Sequence, residues 1–169
     1  MRRWGSTGST PAPDYAPDRL ETGTQNHEGS AGVKGALDLI ASLGTGSSPR
    51  ERFVSAMQAI EEHEDALAEK LRAALQDLPG VRLYAALDGD RKTPTIAFRA
   101  EERTPREVCE HVLEDGFFVA AGDFYASTLA EKLGIQGSGG FVRAGLAPYN
   151  SAEEVEGFIE SLERFVKVG

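Results

Sequence analysis

The sequence predicts an α+β fold, a two-layer sandwich of helices on a mainly antiparallel sheet. Three observations carry that expectation. Helix-start signatures recur at Ser48-Pro49-Arg50-Glu51 and Thr104-Pro105-Arg106-Glu107, each a capping box with proline at the first helical position. Short apolar runs bounded by turn residues lie between and after them. From residue 48 the order is therefore helix, strand, strand, helix, strand, short helix, strand, helix. Such an order places the helices together on one face of a sheet.

Each element follows from local chemistry. Residues 1–20 are rich in Gly, Ser, Thr, Pro and Asp without periodicity, and read as a flexible arm. A helix fits 26–43, with Val33, Leu37, Leu39 and Ile40 among its apolar positions, and Gly44-Thr45-Gly46 stops it. The Ser48 box opens a long helix to about residue 78. Its Phe53, Met57, Ile60, Leu67, Leu71, Leu75 and Leu78 keep helical spacing, and Pro79-Gly80 ends it. Strands fit 81–84 and 95–98 around the turn-rich Asp88-Gly89-Asp90. The Thr104 box opens a helix to about 114, followed by an expected strand at 117–120 and a short helix at 123–133. A glycine-rich loop over 134–140 leads into a strand at 141–147 that carries one charge, Arg143. Ser151-Ala152-Glu153-Glu154 then opens the last helix, where Val155, Phe158, Ile159, Leu162, Phe165 and Val166 form one apolar stripe.

Bulk properties bound the partners. A chain of 169 residues can hold an ordinary core, and a composition of 40% hydrophobic and 27% charged residues is that of a globular protein. A net charge of −9 argues against a nucleic-acid backbone as the main partner. No apolar run is long enough to span a membrane. The single cysteine, Cys109, excludes an intrachain disulfide and fits a reducing, cytoplasmic setting. His27, His63 and His111 have no zinc-type spacing, so no metal site is expected, and His63 in Glu61-Glu62-His63-Glu64-Asp65 reads as part of a solvated helix face. Cys109, beside Val108 and Val112 on a helix, reads as a buried structural thiol.

Two places can hold an anion. In Glu21-Thr22-Gly23-Thr24-Gln25-Asn26-His27-Glu28-Gly29, a glycine turn with hydroxyls precedes a helix, where free N–H groups and the dipole favour phosphate. The alternative is that Thr24 or Asn26 simply caps that helix. Arg143 stands on an otherwise apolar strand with Phe141 and Gly145 on its face. Its planar fork suits a carboxylate, and the glycine leaves room for one to approach. The alternative is an outward arginine paired with a surface carboxylate.

The stretch Phe141-Val142-Arg143-Ala144-Gly145-Leu146-Ala147-Pro148-Tyr149-Asn150-Ser151-Ala152-Glu153-Glu154 resembles the C-terminal end of the class V aminotransferases, the pyridoxal-phosphate family that includes the cysteine desulfurases. The segment at 21–29 is similar to the Glu-x-Gly-Thr-x-Asn that follows their cofactor lysine, and Pro94-Thr95-Ile96-Ala97-Phe98 to the strand that opens their small domain. The resemblance covers about residues 11–165. It implies the C-terminal small domain of a fold-type I pyridoxal-phosphate transferase over 48–169. Before it would come a large-domain remnant over 21–47.

What the family does then falls on particular residues here. The resemblance places Gly23 and Thr24 at the cofactor phosphate, across a dimer interface, and Arg143 at the substrate's α-carboxylate. It implies an amino-acid substrate, and either a homodimer or pairing with a missing large domain. Gly116 to Ala126 is similar to the desulfurase segment ending in Gly-His-His-Cys-Ala, but Asp123, Phe124 and Tyr125 replace its His, His and Cys. Persulfide chemistry needs a thiolate there, so it is not expected. Lys34, Lys70, Lys92, Lys132 and Lys167 all lack the Ser-x-His-Lys context of the Schiff-base lysine. No catalytic residue is therefore assigned. The chain reads as a C-terminal piece of such an enzyme, inactive alone, or as an interaction module derived from it.

Overall fold

The computed structural model describes residues 15–20, 23–87 and 89–167. Residues 1–14 of the expected arm, Glu21 and Thr22 of the phosphate-type segment, and Asp88 of the hairpin turn lie outside them. The chain divides into two compact units, Met1–Ala56 and Met57–Gly169, and the long second helix runs across the division.

In the first unit a 3-10 turn at Asp18–Leu20 precedes α1, His27–Ser42. Asn26 caps α1, its Oδ1 accepting from the Gly29 amide at 2.7 Å. No described residue of α1 is buried, and Val33, Leu37 and Leu39 are exposed. The turn that follows is sewn to the start of α2, Pro49–Asp77. The Thr45 amide donates to Ser55 Oγ at 2.7 Å, and that hydroxyl donates back to the Thr45 carbonyl at 2.9 Å. Gly44 has no alternative here, because a Cβ would lie 1.9 Å from the Arg52 carbonyl oxygen.

The second unit is built on a four-stranded antiparallel sheet in the order β1-β2-β4-β3, with β1 at Val81–Tyr84, β2 at Thr95–Ala100, β3 at Ala120–Gly122 and β4 at Phe141–Gly145. Strand alternation turns Ile96, Phe98, Ala100, Val142 and Ala144 to one face. There they meet Leu67, Leu71 and Leu75 of α2, Val108 and Val112 of α3 (Pro105–Glu114), and Val155, Phe158 and Leu162 of α5 (Ala152–Lys167). This is the predicted sandwich. Asp115 ties α3 to α5: its carboxylate accepts from the buried Ser161 hydroxyl and from Arg164, both at 2.6 Å. The Ser161 hydrogen bond, more than the Arg164 charge, lowers its pKa.

Part of the far face of the sheet is also covered, which the expectation of helices on one face did not include. A short α4, Ser127–Lys132, contributes Ala130 to a second cluster with Ile135 and Phe141. Tyr84, Ala97 and Phe124 pack against it. The Tyr84 and Phe141 rings meet edge-on with centroids 4.9 Å apart. Covering follows from the register: Tyr84, Ala97 and Phe141 share this face and would otherwise leave an apolar patch in water.

Two local expectations are corrected. The strand expected at 117–120 lies at Ala120–Gly122. Phe117 is used by the end of α3 instead: its amide donates to the Val112 carbonyl and the Gly116 amide to that of Leu113, with Gly116 at φ 88. This is a Schellman stop, and it draws Phe117 into the core. The helix expected over 123–133 begins only at Ser127, because Phe124 and Tyr125 adopt φ values of 53 and 64.

All three capping boxes form. Glu51 accepts from Ser47 and Ser48, Glu107 from Thr104, and Glu154 from the Ser151 amide. Each glutamate is held below the ordinary carboxylate range, Glu51 at about 2, chiefly by the Ser47 hydroxyl and the Ser48 amide. Because the folded pKa is depressed, the stability these groups contribute is complete above the unfolded value of about 4.3 and is lost as pH falls through the folded one. For Glu51 that window runs from about 4.3 down to about 2. We expect thermal midpoints, followed by far-UV circular dichroism, to fall across it, and Glu51→Gln to flatten the fall. Equal acid slopes for the two proteins would contradict this.

Candidate functional site

Arg143 sits at the middle of β4, facing Ala97 on one side and Ala120 on the other. Small neighbours on both flanking strands leave its side chain uncrowded. A Cβ built on Gly145, two residues along on the same face, would meet nothing within 4 Å. The guanidinium lies over the Phe124 ring, 4.0 Å from its centroid. Arg143 is exposed, and among the described residues its side chain forms no ion pair or hydrogen bond. A fixed, unpaired, planar cation beside open space can accept a carboxylate with both N–H edges.

The turn below it is unusual. The Ala126 amide donates to the Asp123 carbonyl at 2.8 Å, and Asp123 Oδ1 accepts from the Tyr125 amide at 3.1 Å. With both central residues left-handed, this is a turn that ordinarily takes Asn and Gly. Here two aromatic residues occupy it, at a cost of about 1 kcal/mol or more each. It turns Phe124 in toward the sheet and leaves Tyr125 fully exposed. At the other end of the covering segment, Arg99 donates to the Ser138 and Gly140 carbonyls.

The turn after β4 positions the last helix. Asn150 Oδ1 accepts from the Ala147 amide at 2.8 Å, and the Asn150 amide returns a bond to the Ala147 carbonyl at 2.9 Å. His63 Nε2, expected on a solvated face, donates to the Asn150 carbonyl at 2.9 Å and so fastens α2 to this turn. Tyr149, Gly145 and Phe118 border an open groove beside it.

Gly23 and Thr24 are exposed, just before α1, in the other unit from Arg143. Asn26, not Thr24, makes the cap, and among the described residues the Thr24 hydroxyl has no hydrogen bond. Its position before a helix of sixteen residues fits a phosphate contact. Covalent attachment of pyridoxal phosphate would need a lysine amine free to form a Schiff base. Lys34 pairs with Asp38, Lys70 with Glu156 and Lys167 with Glu163, while Lys92 donates to main-chain carbonyls and Lys132 is exposed. Cys109 is half-buried, and burial raises its pKa, which opposes a thiolate role. Among the described residues no cluster of His, Cys, Asp or Glu could hold a metal, and no helix is long and apolar enough to cross a membrane.

Arg99 has no signal in the sequence, and Phe124 stands out there only as a replacement for a motif histidine. No spacing rule links residue 124 to residue 143, and only the register of β4 against its neighbours brings them together.

An antiparallel sheet backed by helices, with an arginine on one inner strand leading through an Asn150 turn into a Ser151-capped helix, defines part of a fold-type I pyridoxal-phosphate enzyme. The chain belongs to the aminotransferase class V family, matching it over residues 10–158. It is similar to a probable cysteine desulfurase of Mycobacterium leprae, 29% identical over 90% of this chain and 22% of that protein. A probable cysteine desulfurase of Pyrococcus abyssi is 28% identical over 89% of this chain and 34% of its own length. Among solved structures, the cysteine desulfurase of Thermococcus onnurineus superposes with a TM-score of 0.75 at 27% identity, over 90% of this chain and 34% of that one. The Escherichia coli desulfurase CsdA gives a TM-score of 0.70 at 26% identity over 90% of this chain and 33% of that one. The chain thus spans about a fifth to a third of the length of these relatives.

Proposed function

We propose that this chain provides the substrate-carboxylate half of a class V aminotransferase-type site, and that by itself it carries out no turnover. The observation that supports this most is Arg143: exposed, without a carboxylate among the described residues, and spread over an aromatic ring beside the open side of Gly145. It binds an amino acid through the α-carboxylate, fixing the substrate by a bidentate contact whose planar geometry Lys could not reproduce. Thr24, with Gly23 shaping its turn, contacts the phosphate of pyridoxal phosphate, adding a hydroxyl to the positive end of α1. When bound, that cofactor supplies an electron sink for the amino acid's α-carbon. Asp123, Phe124 and Tyr125 offer no thiolate, so sulfur transfer is not part of the proposal.

Two measurements test it. In a titration followed through the Arg143 Nε–Hε signal by NMR, L-alanine shifts the signal and its methyl ester, which lacks the charge, does not. Incubation with pyridoxal phosphate, borohydride reduction and mass mapping give no specific lysine adduct and no amino-acid turnover. A specific adduct together with turnover would sink the claim of inactivity, and an Arg143 signal indifferent to L-alanine would sink the carboxylate role.

A second reading, a non-catalytic pairing module, is favoured by α1, which buries none of its residues and exposes Val33, Leu37, Leu39 and the following Leu43. Its partner would be a second copy or a domain of the same enzyme class. Size-exclusion chromatography decides: a monodisperse monomer counts against it.

A further inference from the structure

Arginine side chains in water sample many rotamers, and a ligand that captures one must immobilise it. Arg143 does not have that freedom. Its guanidinium rests on the Phe124 ring at 4.0 Å, within the range where a cation is attracted to an aromatic face. Phe124 is in turn held from below, partly buried against the Ala130, Ile135 and Phe141 cluster. Its backbone is held by the left-handed turn that Asp123 closes through Oδ1. A residue other than glycine at φ 53 and another at 64 persist only where surrounding contacts compensate. That unfavourable backbone sets the Phe124 ring between the apolar cluster and Arg143.

We propose that Phe124 is a positioning residue for Arg143: its ring holds the guanidinium flat and unpaired, in the orientation that receives a carboxylate. This rests on the reading of Arg143 as the carboxylate site. Stacking occupies the face of the guanidinium and leaves its N–H edges free, so ring and carboxylate do not compete. The part of the ordering cost that would fall on ligand binding is met during folding instead.

The test compares the full chain with Phe124→Leu and Phe124→Tyr. Neither replacement is glycine, so both carry the same backbone cost; leucine keeps an apolar contact with the cluster but has no ring face, and tyrosine restores the face. In the unsubstituted chain the ring current displaces the Arg143 Nε–Hε signal upfield, and L-alanine binding is followed on that signal. Phe124→Leu is expected to abolish the displacement and raise the Kd for L-alanine about three- to tenfold, and Phe124→Tyr to restore both. Far-UV circular dichroism and thermal midpoints confirm that each variant is folded. A Phe124→Leu chain that binds L-alanine as tightly as the unsubstituted one overturns the positioning role while leaving the carboxylate reading intact. An Arg143 signal that L-alanine does not move in the unsubstituted chain overturns the carboxylate reading, and the positioning role with it. A ring-current displacement that leucine leaves unchanged also overturns the proposal, since the stacking it invokes would then be absent in solution.

Discussion

Phe98→Ala is expected to lower the stability of the sheet unit by about 3–5 kcal/mol, or roughly 10–20 °C in Tm. Phe98 is fully buried at the centre of β2, the strand flanked by both β1 and β4. Leu83 and Val142 lie directly opposite it on those two strands, and the Phe158 ring of α5 meets it edge-on at 6.4 Å. Removing the ring takes away a large apolar area and leaves a cavity that neither strand can close, because main-chain pairing fixes both. Urea unfolding checks it: the midpoint should fall sharply with the slope unchanged. A loss below about 1 kcal/mol would mean that the helical layer collapses into the space, contrary to a core set by the sheet.

The second large effect is Gly140→Ala. Gly140 is buried at φ 74, and a Cβ there would stand 2.3 Å from the Gly122 carbonyl oxygen and 2.8 Å from the Asp123 amide nitrogen. The obstructing atoms are main chain and cannot rotate away. Left-handed strain and the clash together should cost about 2–3 kcal/mol. The damage should be local. Gly122 pairs with Phe141, so β3 must separate from β4, and the Asp123 turn that carries Phe124 moves with it. Hydrogen exchange should therefore accelerate at β3 and β4 before β1, and the Arg143 signal should lose its response to L-alanine. Gly137→Ala, where a Cβ would meet nothing within 4 Å, is the control and should be neutral within about 0.5 kcal/mol. Equal behaviour of the two variants would refute the close approach at Gly140.

These two residues differ in how visible they are beforehand. Phe98 lies in an alternating strand pattern, and its burial could be read from its neighbours. Gly140 is one of several glycines in a loop, and nothing in 134–140 says which of them touches another backbone. The three capping boxes, the Pro79-Gly80 stop and the alternation around Arg143 were equally legible, since each depends on residues within four positions of one another. The same holds for the motif wording that carried the family resemblance.

Phe117-Phe118-Val119 shows the opposite case. It has strand composition, yet the Gly116 stop of α3 takes Phe117 for the core and delays pairing to Ala120. Strand propensity marks a segment able to pair, and the partner sets where pairing begins. Phe124 and Tyr125 gave no turn signal either, because the sequence offers no glycine where the backbone turns left-handed.

By itself, the sequence determined the long helices, their capping boxes, the succession of elements along the chain and the family resemblance. All of these rest on short-range hydrogen bonds, hydrophobic period or motif wording. The tertiary structure alone decided that part of the far face of the sheet is covered, that Arg99 pins one end of that cover, and that Phe124 lies beneath Arg143. The last two contacts join residues 19 to 41 positions apart, through strand register and the closure of a loop. Local propensity carries no information about which distant side chains such a register will bring face to face.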